Sequence, residues 1–386
     1  MIVKSTGRAR SVLSLLSLGT MLLLAACAGG DRYPATGDDG GPVPPEFRDL
    51  KGWGHDNFAE AVPALLRSCL YLRSLGPGHA VGTNAKAGLV SDWLPACAEA
   101  KRLPPENGLA ARHYFEKWFL PVALKSGDTS ASGQEGLFTG YYEPELNGSW
   151  TRTERFSTPL YRMPPRGRHA LPPRARIAAG ALARHGLELL WVDDPIEAFI
   201  MEIQGSGRVR MSDGSVVGIN YAGQNGQKYY PIGRHLIDLG VGTPQTMTMH
   251  MIRDWLRQHP DQAQSVMNLN PSYIFFKTRP SGEPRGASAE LTPRRSLAVD
   301  PYYVPLGVPI WLDVHDVPVI DGGILRRLVL AQDTGGAIKG AVRGDFFWGH
   351  GEEAAFAAGV MKARGRYFML VPRPVAERMP GAARRP

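Results

Sequence analysis

Residues 328–351 read LVLAQDTGGAIKGAVRGDFFWGHG: an apolar run ending at Asp333, a glycine-rich break, and a second run in which Asp345 precedes three aromatic residues. Short runs of branched and aromatic residues bounded by glycine favour strands over helices. Gly335 and Gly336 directly after Asp333 let a backbone or a ligand approach closely there. Phe346, Phe347 and Trp348 beside Asp345 place its carboxyl among aromatic rings. Such burial disfavours the charged form and raises a carboxyl pKa, as a general acid at neutral pH requires. As a pattern alone, both aspartates read equally well as residues that hold turns or cap backbone N–H groups.

Outward from this stretch the texture is the same as far back as Gly136. Residues 137–142, 189–192, 199–203, 208–211 and 216–221 form short strand-like runs between Gly, Pro and Asn, and 273–276, 308–314, 327–331 and 366–371 follow. Helical spacing is confined to 58–75, 110–119, 233–239 and 244–259. Helices first and then many short strands imply a mainly β protein of barrel type with flanking α-helices. With 26 leading residues removed from 386, the remaining 360 exceed what one core usually fills, so two domains are expected.

Two more segments hold polar residues among apolar ones. In GLFTGYYEPE (136–145), adjacent Tyr141 and Tyr142 point to opposite faces of a strand, so that one can pack while the other lines a groove, or, equally, both pack in a core. In FIMEIQGSGR (199–208), Gln204, Ser206 and Arg208 offer hydrogen bonds beside Gly205 and Gly207, which suits a sugar-binding loop or, equally, a bulge or tight turn.

Residues 1–26 carry Lys4, Arg8 and Arg10, no acid, and an apolar run from Val12 to Leu24, the profile of a secretory signal. Leu24-Ala25-Ala26-Cys27 resembles the lipobox of bacterial lipoproteins, which makes Cys27 the expected lipidation site and residues 27–48, rich in Gly, Pro and Asp, a tether. Ala28 in place of an aspartate points to the outer membrane, facing the periplasm. Cleavage lowers 44 Lys and Arg to 41 against 36 acids, a mild excess near +5 that suits a polyanionic wall polymer. The basic residues are interspersed with acids, which argues against a nucleic-acid partner. Only the Pro/Arg end from Arg373 is dense, and it reads as a disordered tail. Cys69 and Cys97 can form a disulfide in an oxidising compartment or remain separate buried thiols. The ten histidines show no paired ligand spacing, so neither metal nor cofactor is expected.

FTGYYEPE, EIQGSG, NPSYIFFK from Asn270, AVDPYYVPLG from Ala298, QDTGGAIKG and GDFFWG occur in this order and together resemble the membrane-bound lytic murein transglycosylase A family, with its three-aspartate domain falling on Asp300, Asp333 and Asp345. The resemblance implies a six-stranded double-psi β-barrel (49–145 and 271–375) interrupted by a smaller inserted β-barrel domain (146–270), with glycan in the groove between them; it does not cover the tether or the tail, 376–386, which composition alone reads as disordered. It implies Asp345 as the single catalytic acid and Asp333 as its supporting residue. Thr139, Tyr141 and Tyr142 are the expected substrate contacts on the barrel side. Gln204, Gly205, Ser206 and Gly207 are those of the insert, and Gly335 and Gly336 those of the glycine loop. The implied activity is cleavage between N-acetylmuramic acid and N-acetylglucosamine in peptidoglycan, leaving 1,6-anhydro ends. A tethered enzyme of this kind works as a monomer, with wall-synthesis proteins as open partners. Two rivals stand beside it: an aspartic protease, from Asp333-Thr334-Gly335 in a single copy, and a wall-binding lipoprotein without catalysis.

Overall fold

The computed structural model describes residues 46–83, 86–124, 135–165, 171–279 and 283–379. The signal sequence, Cys27 and the tether up to residue 45 lie outside the described residues, as do 380–386 of the tail.

Helices come first. The apolar spacing of 58–75 gives one 3-10 turn, Phe58–Ala61, and then α1 (Val62–Leu75), which buries Leu65, Cys69 and Leu72. α2 (Val90–Ala100) packs on it, and α3 (Gly108–Trp118) begins where the Asn107 side chain accepts from Ala110 N. Cys69 on α1 and Cys97 on α2 form a disulfide with Cα atoms 5.6 Å apart.

After β1 (Phe119–Ala123) and β2 (Gly136–Glu143) the chain leaves for a second sheet. It runs through β3 (Glu145–Ser149), β4 (Thr158–Tyr161), α4 (Arg174–Ala178), β5 (Glu188–Val192), α5 (Pro195–Gln204), β6 (Ser206–Met211) and β7 (Val216–Gln224). Next come α6 (Ile232–Asp238), α7 (Met249–Gln258), α8 (Pro260–Met267) and β8 (Ile274–Arg279). The chain returns through 283–295 to β9 (Ser296–Val299), β10 (Pro309–His315), β11 (Leu325–Asp333), β12 (Arg343–His350), α9 (Glu352–Val360), β13 (Lys362–Pro372) and α10 (Arg373–Ala376).

The first sheet has the order β13-β10-β11-β9-β12-β2, and β2 also pairs with β13, so six strands close into a barrel with β1 added outside on β13. β12 runs parallel to β2 and β11 parallel to β9; the other pairs are antiparallel. Its interior is continuous with the core under α1–α3, where Phe138, Leu297, Val299, Phe346 and Trp348 meet Trp93, Phe115 and Trp311. Gly140 is the residue that lets β2 take its place: a Cβ there would stand 2.6 Å from Trp348 Nε1 and 2.9 Å from the Ala358 backbone. The insert sheet has the order β4-β5-β3-β6-β7-β8, and its two edges meet at one bridge, Arg162 to Phe276. The fold is thus mainly β, with a closed barrel, a second sheet and flanking helices, as expected.

Three details differ from the sequence reading. Residues 199–203, read as a strand, lie within α5: Asp194 accepts from Ile196 N and Glu197 N ahead of Pro195, a strong helix start, and burial of 198–202 hides the helical period. β8 pairs with β7, so the insert sheet reaches from 145 to 279 and not from 146 to 270. The tail begins ordered. α10 buries Val375 and Ala376, and Arg373 donates to the carbonyls of Glu116 and Lys117.

The disulfide closes a 28-residue separation, which the chain-entropy relation values at about 3.5 kcal/mol. Replacing Cys69 and Cys97 together by Ala is expected to lower the unfolding free energy in urea by about 3 kcal/mol, with the barrel core otherwise intact.

Candidate active site

β9 lies between β11 and β12, and its Ala298 is in register with Asp333 on one side and Asp345 on the other. The two aspartates therefore occupy one row across three strands, with Cα atoms roughly 10 Å apart at the usual strand spacing. On the far side of β12, Asp345 is in register with Thr139 of β2. Thr139 and Tyr141 are two residues apart and share that face. Tyr141, Ala298, Phe347, Leu291 and Ile338 form a small apolar cluster there, separate from the barrel core.

Asp345 Oδ1 accepts from Thr139 Oγ1 at 2.7 Å, and Thr139 Oγ1 in turn accepts from Arg343 Nη2 at 2.9 Å. Burial holds the Asp345 carboxyl above its ordinary range, against the pull of the Arg343 charge and the Thr139 hydrogen bond. The residue is not fully enclosed and keeps some surface.

Asp333 is held differently. It accepts from Tyr141 OH at 3.0 Å, from Ala287 N at 3.0 Å and from its neighbour Thr334 N at 2.9 Å. Burial outweighs these three donors, and with some repulsion from Asp345 it pushes the carboxyl up to about 6. Asp300, buried, accepts from Tyr302 N and Gly340 N and so anchors the glycine loop that carries Gly335 and Gly336.

Farther along β2, Glu143 completes the row of Thr139 and Tyr141. It is fully buried, with Arg279 Nη2 3.8 Å away, and burial pushes its carboxyl up to about 7. These two residues sit on the two chain crossings between barrel and insert, Glu143 just before β3 and Arg279 at the end of β8.

The expected site residues separate into two sets. Asp345, Asp333, Thr139 and Tyr141 meet on one face, with Gly335 and Gly336 on the adjoining loop. Tyr142 points the other way, into the main core, where its hydroxyl accepts from Arg253 Nη2 of α7 at 2.7 Å. Both tyrosines are buried, which fits the core-packing reading of the pair. Gln204 accepts from Tyr142 N at 3.2 Å and ties the insert to β2. Gly205 takes a left-handed turn that ends α5, and Ser206 and Gly207 pair with β7, so this segment works as a joint. Of the three aromatic residues after Asp345, Phe346 and Trp348 face the barrel interior and only Phe347 shares the aspartate's side. Arg343 was missed, although two residues before Asp345 on a strand put it on the same face.

A family model described as the MltA specific insert domain matches residues 137–277, and one described as the 3D domain matches 295–371. The membrane-bound lytic murein transglycosylase A of Escherichia coli K12 is 39% identical over 296 residues, 74% of this chain and 76% of that protein. The chain belongs to the membrane-bound lytic murein transglycosylase A family. The relative of the same name from Vibrio cholerae is 33% identical over 271 residues, 64% of this chain and 72% of that one. Among solved structures, a membrane-bound lytic murein transglycosylase from Agrobacterium tumefaciens superposes with a TM-score of 0.77 at 33% identity, covering 87% of this chain and 99% of that one. E. coli MltA with bound chitohexaose gives 0.65 at 31% identity, covering 84% and 90%. The six-strand barrel carrying the aspartates falls largely within the 3D match and the second sheet within the insert match.

The raised Asp333 carboxyl has a definite sign in stability. The folded state binds its proton more tightly than the unfolded chain, so stability is greatest below about pH 4 and falls as pH rises through about 6. Relative to Asp333→Asn, the wild type is expected to lose about 2–3 kcal/mol between pH 4 and pH 7, measured by urea unfolding at both pH values.

Proposed function

We propose that Asp345 is the single general acid and base of a glycan-cleaving reaction that leaves 1,6-anhydro-N-acetylmuramic acid ends. The enzyme is a peptidoglycan lytic transglycosylase of its family. The observation that carries the proposal is one carboxyl that burial holds above its ordinary range, tied to Thr139 through one oxygen and still partly at the surface.

A hydrolase needs two carboxyls, one to protonate the leaving oxygen and one to attack or to activate water. A muramyl residue can supply its own nucleophile, the C6 hydroxyl. Protonated Asp345 donates to the bridging oxygen between N-acetylmuramic acid and N-acetylglucosamine as the C1–O bond breaks. The resulting carboxylate then takes the C6 hydroxyl proton while that oxygen bonds to C1. An internal nucleophile can have an effective molarity of roughly 10⁵ M or more at best, so water need not be activated. Asp333 supports the reaction from two strands away, by its charge or by orienting Tyr141. Thr139 holds Asp345 and the buried Tyr141 holds Asp333, with Gly335 and Gly336 leaving room for a sugar beside Asp333.

Asp345→Asn is expected to reduce anhydromuropeptide release from sacculi by at least about a thousandfold, with folding and glycan binding kept. Mass spectrometry of the digest reads the outcome: reducing ends would indicate a hydrolase, unchanged glycan a binder, and undiminished anhydro products from the variant would remove Asp345 from its role.

The relatives are named membrane-bound, and among the described residues no helix is long and apolar enough to cross a membrane. Attachment is assigned to a lipid on Cys27, at the outer membrane and facing the periplasm, with the enzyme acting as a monomer on glycan strands. Cys27→Ala is expected to abolish labelling by a fatty-acid analogue and to move the protein to the soluble fraction. Retention in the membrane fraction would exclude this anchor.

A further inference from the structure

A carboxyl acting as an acid has two oxygens, and only a proton on the one facing the substrate is useful. At Asp345 the polar groups decide between them. A guanidinium has donors only, whereas a hydroxyl has one hydrogen and two accepting lone pairs. Thr139 Oγ1, 2.9 Å from Arg343 Nη2, can only accept from it. Its single hydrogen is then committed to Asp345 Oδ1, 2.7 Å away. An oxygen that accepts this bond is a poor carrier of the acid proton, which is left to Oδ2.

We propose that Arg343 is a positioning residue which, acting through the Thr139 hydroxyl, keeps Asp345 Oδ1 as an acceptor and so presents the acid proton on Oδ2 to the glycosidic oxygen. This rests on Asp345 being the acid. Without Arg343 the threonine hydroxyl is free to rotate and accept a proton from Oδ1, an arrangement in which the acid points into the protein.

The guanidinium has a second effect. Once Asp345 has given up its proton, the carboxylate lies in a desolvated site, and the Arg343 charge, relayed by a hydrogen bond that strengthens with the negative charge, steadies it. The charged and titratable groups facing this corner are few. Arg343 is on β12 itself, Asp333 on β11 and Tyr141 on β2, with Tyr367 of β13 acting on Arg343 and β9 contributing Ala298. Arg343 is the positive group among them. It also donates to the backbone carbonyls of Leu137 and Gly344, so a purely architectural role has to be told apart from the relay.

The test follows anhydro-product formation against pH in the full chain for wild type, Arg343→Met, Thr139→Val and Thr139→Ser, with Asp345→Asn as reference. Turnover by Arg343→Met and Thr139→Val is expected to fall about tenfold or more with KM little changed. Their alkaline limb should move to higher pH, because burial then acts on Asp345 with less opposition. Thr139→Ser, which keeps the hydroxyl, should keep the wild-type alkaline limb and lose less turnover than Thr139→Val. An alkaline limb that stays at the wild-type pH in both variants, or a serine variant as impaired as the valine one, overturns the proposal. Should Arg343→Met fail to fold, the two Thr139 variants decide alone. If Asp345→Asn is inactive while the limbs stay put, only the relay is lost; if Asp345→Asn is active, the assignment of the acid fails first.

Discussion

Strand β2 is the constraint on which the rest depends. It pairs in parallel with β12 and antiparallel with β13, and these two pairings turn an open sheet into a closed barrel. Its alternate residues divide the work by face. Phe138 and Tyr142 enter the main core, whereas Thr139 and Tyr141 meet Asp345 and Asp333 on the other side. A slip of one residue would exchange these sets and leave both aspartates facing apolar side chains. Closure of the barrel and construction of the site are thus the same event.

The two aspartates show how one apolar surface can hold two carboxyls in different hydrogen-bond settings. Asp333 is bound by three donors, two of them backbone N–H groups, and is fixed in place. Asp345 is held through one oxygen by one hydroxyl, which leaves the other oxygen without a protein donor among the described residues. In the proposed reaction the group that passes a proton twice is the one not saturated with donors, and the group that supplies charge or orientation is the one that is. Burial raises both carboxyls, and the difference lies in how many hydrogen bonds a substrate would have to displace.

Much of this was legible in the sequence, and the exceptions have physical causes. β2, β10, β11 and β13 announce themselves by apolar runs with turn residues at their ends, and the aspartates by their setting among glycines and aromatic residues. α5 was hidden because residues 198–202 are buried all round, which erases the helical period. β9, four residues long, is too short to show alternation, yet it is the strand that aligns Asp333 with Asp345. Gln204, Gly205, Ser206 and Gly207 read equally as a sugar-binding loop or a tight turn because glycines beside polar residues suit both; the structure adds that Gly205 ends α5 and that Ser206 and Gly207 pair with β7. The aromatic setting of Asp345 was half right: alternation along β12 sends Phe346 and Trp348 away from it. The same alternation would have brought Arg343 forward as a neighbour.

The insert is placed between β2 and every strand that β2 pairs with. Thr139 and Asp345 are 206 residues apart in the chain, and the whole second sheet is synthesised between them. Non-local pairing of this kind is slow, because the loop must close before any contact rewards it. The second sheet is contiguous from β3 to β8 and can assemble while β2 still waits for partners. Its two crossings, at Glu143 and Arg279, then lie side by side and shorten the effective loop for the late strands. On this order of events a newly made chain spends a period with a finished insert and an unfinished barrel, and Thr139, Asp333 and Asp345 come together only at the last step of folding.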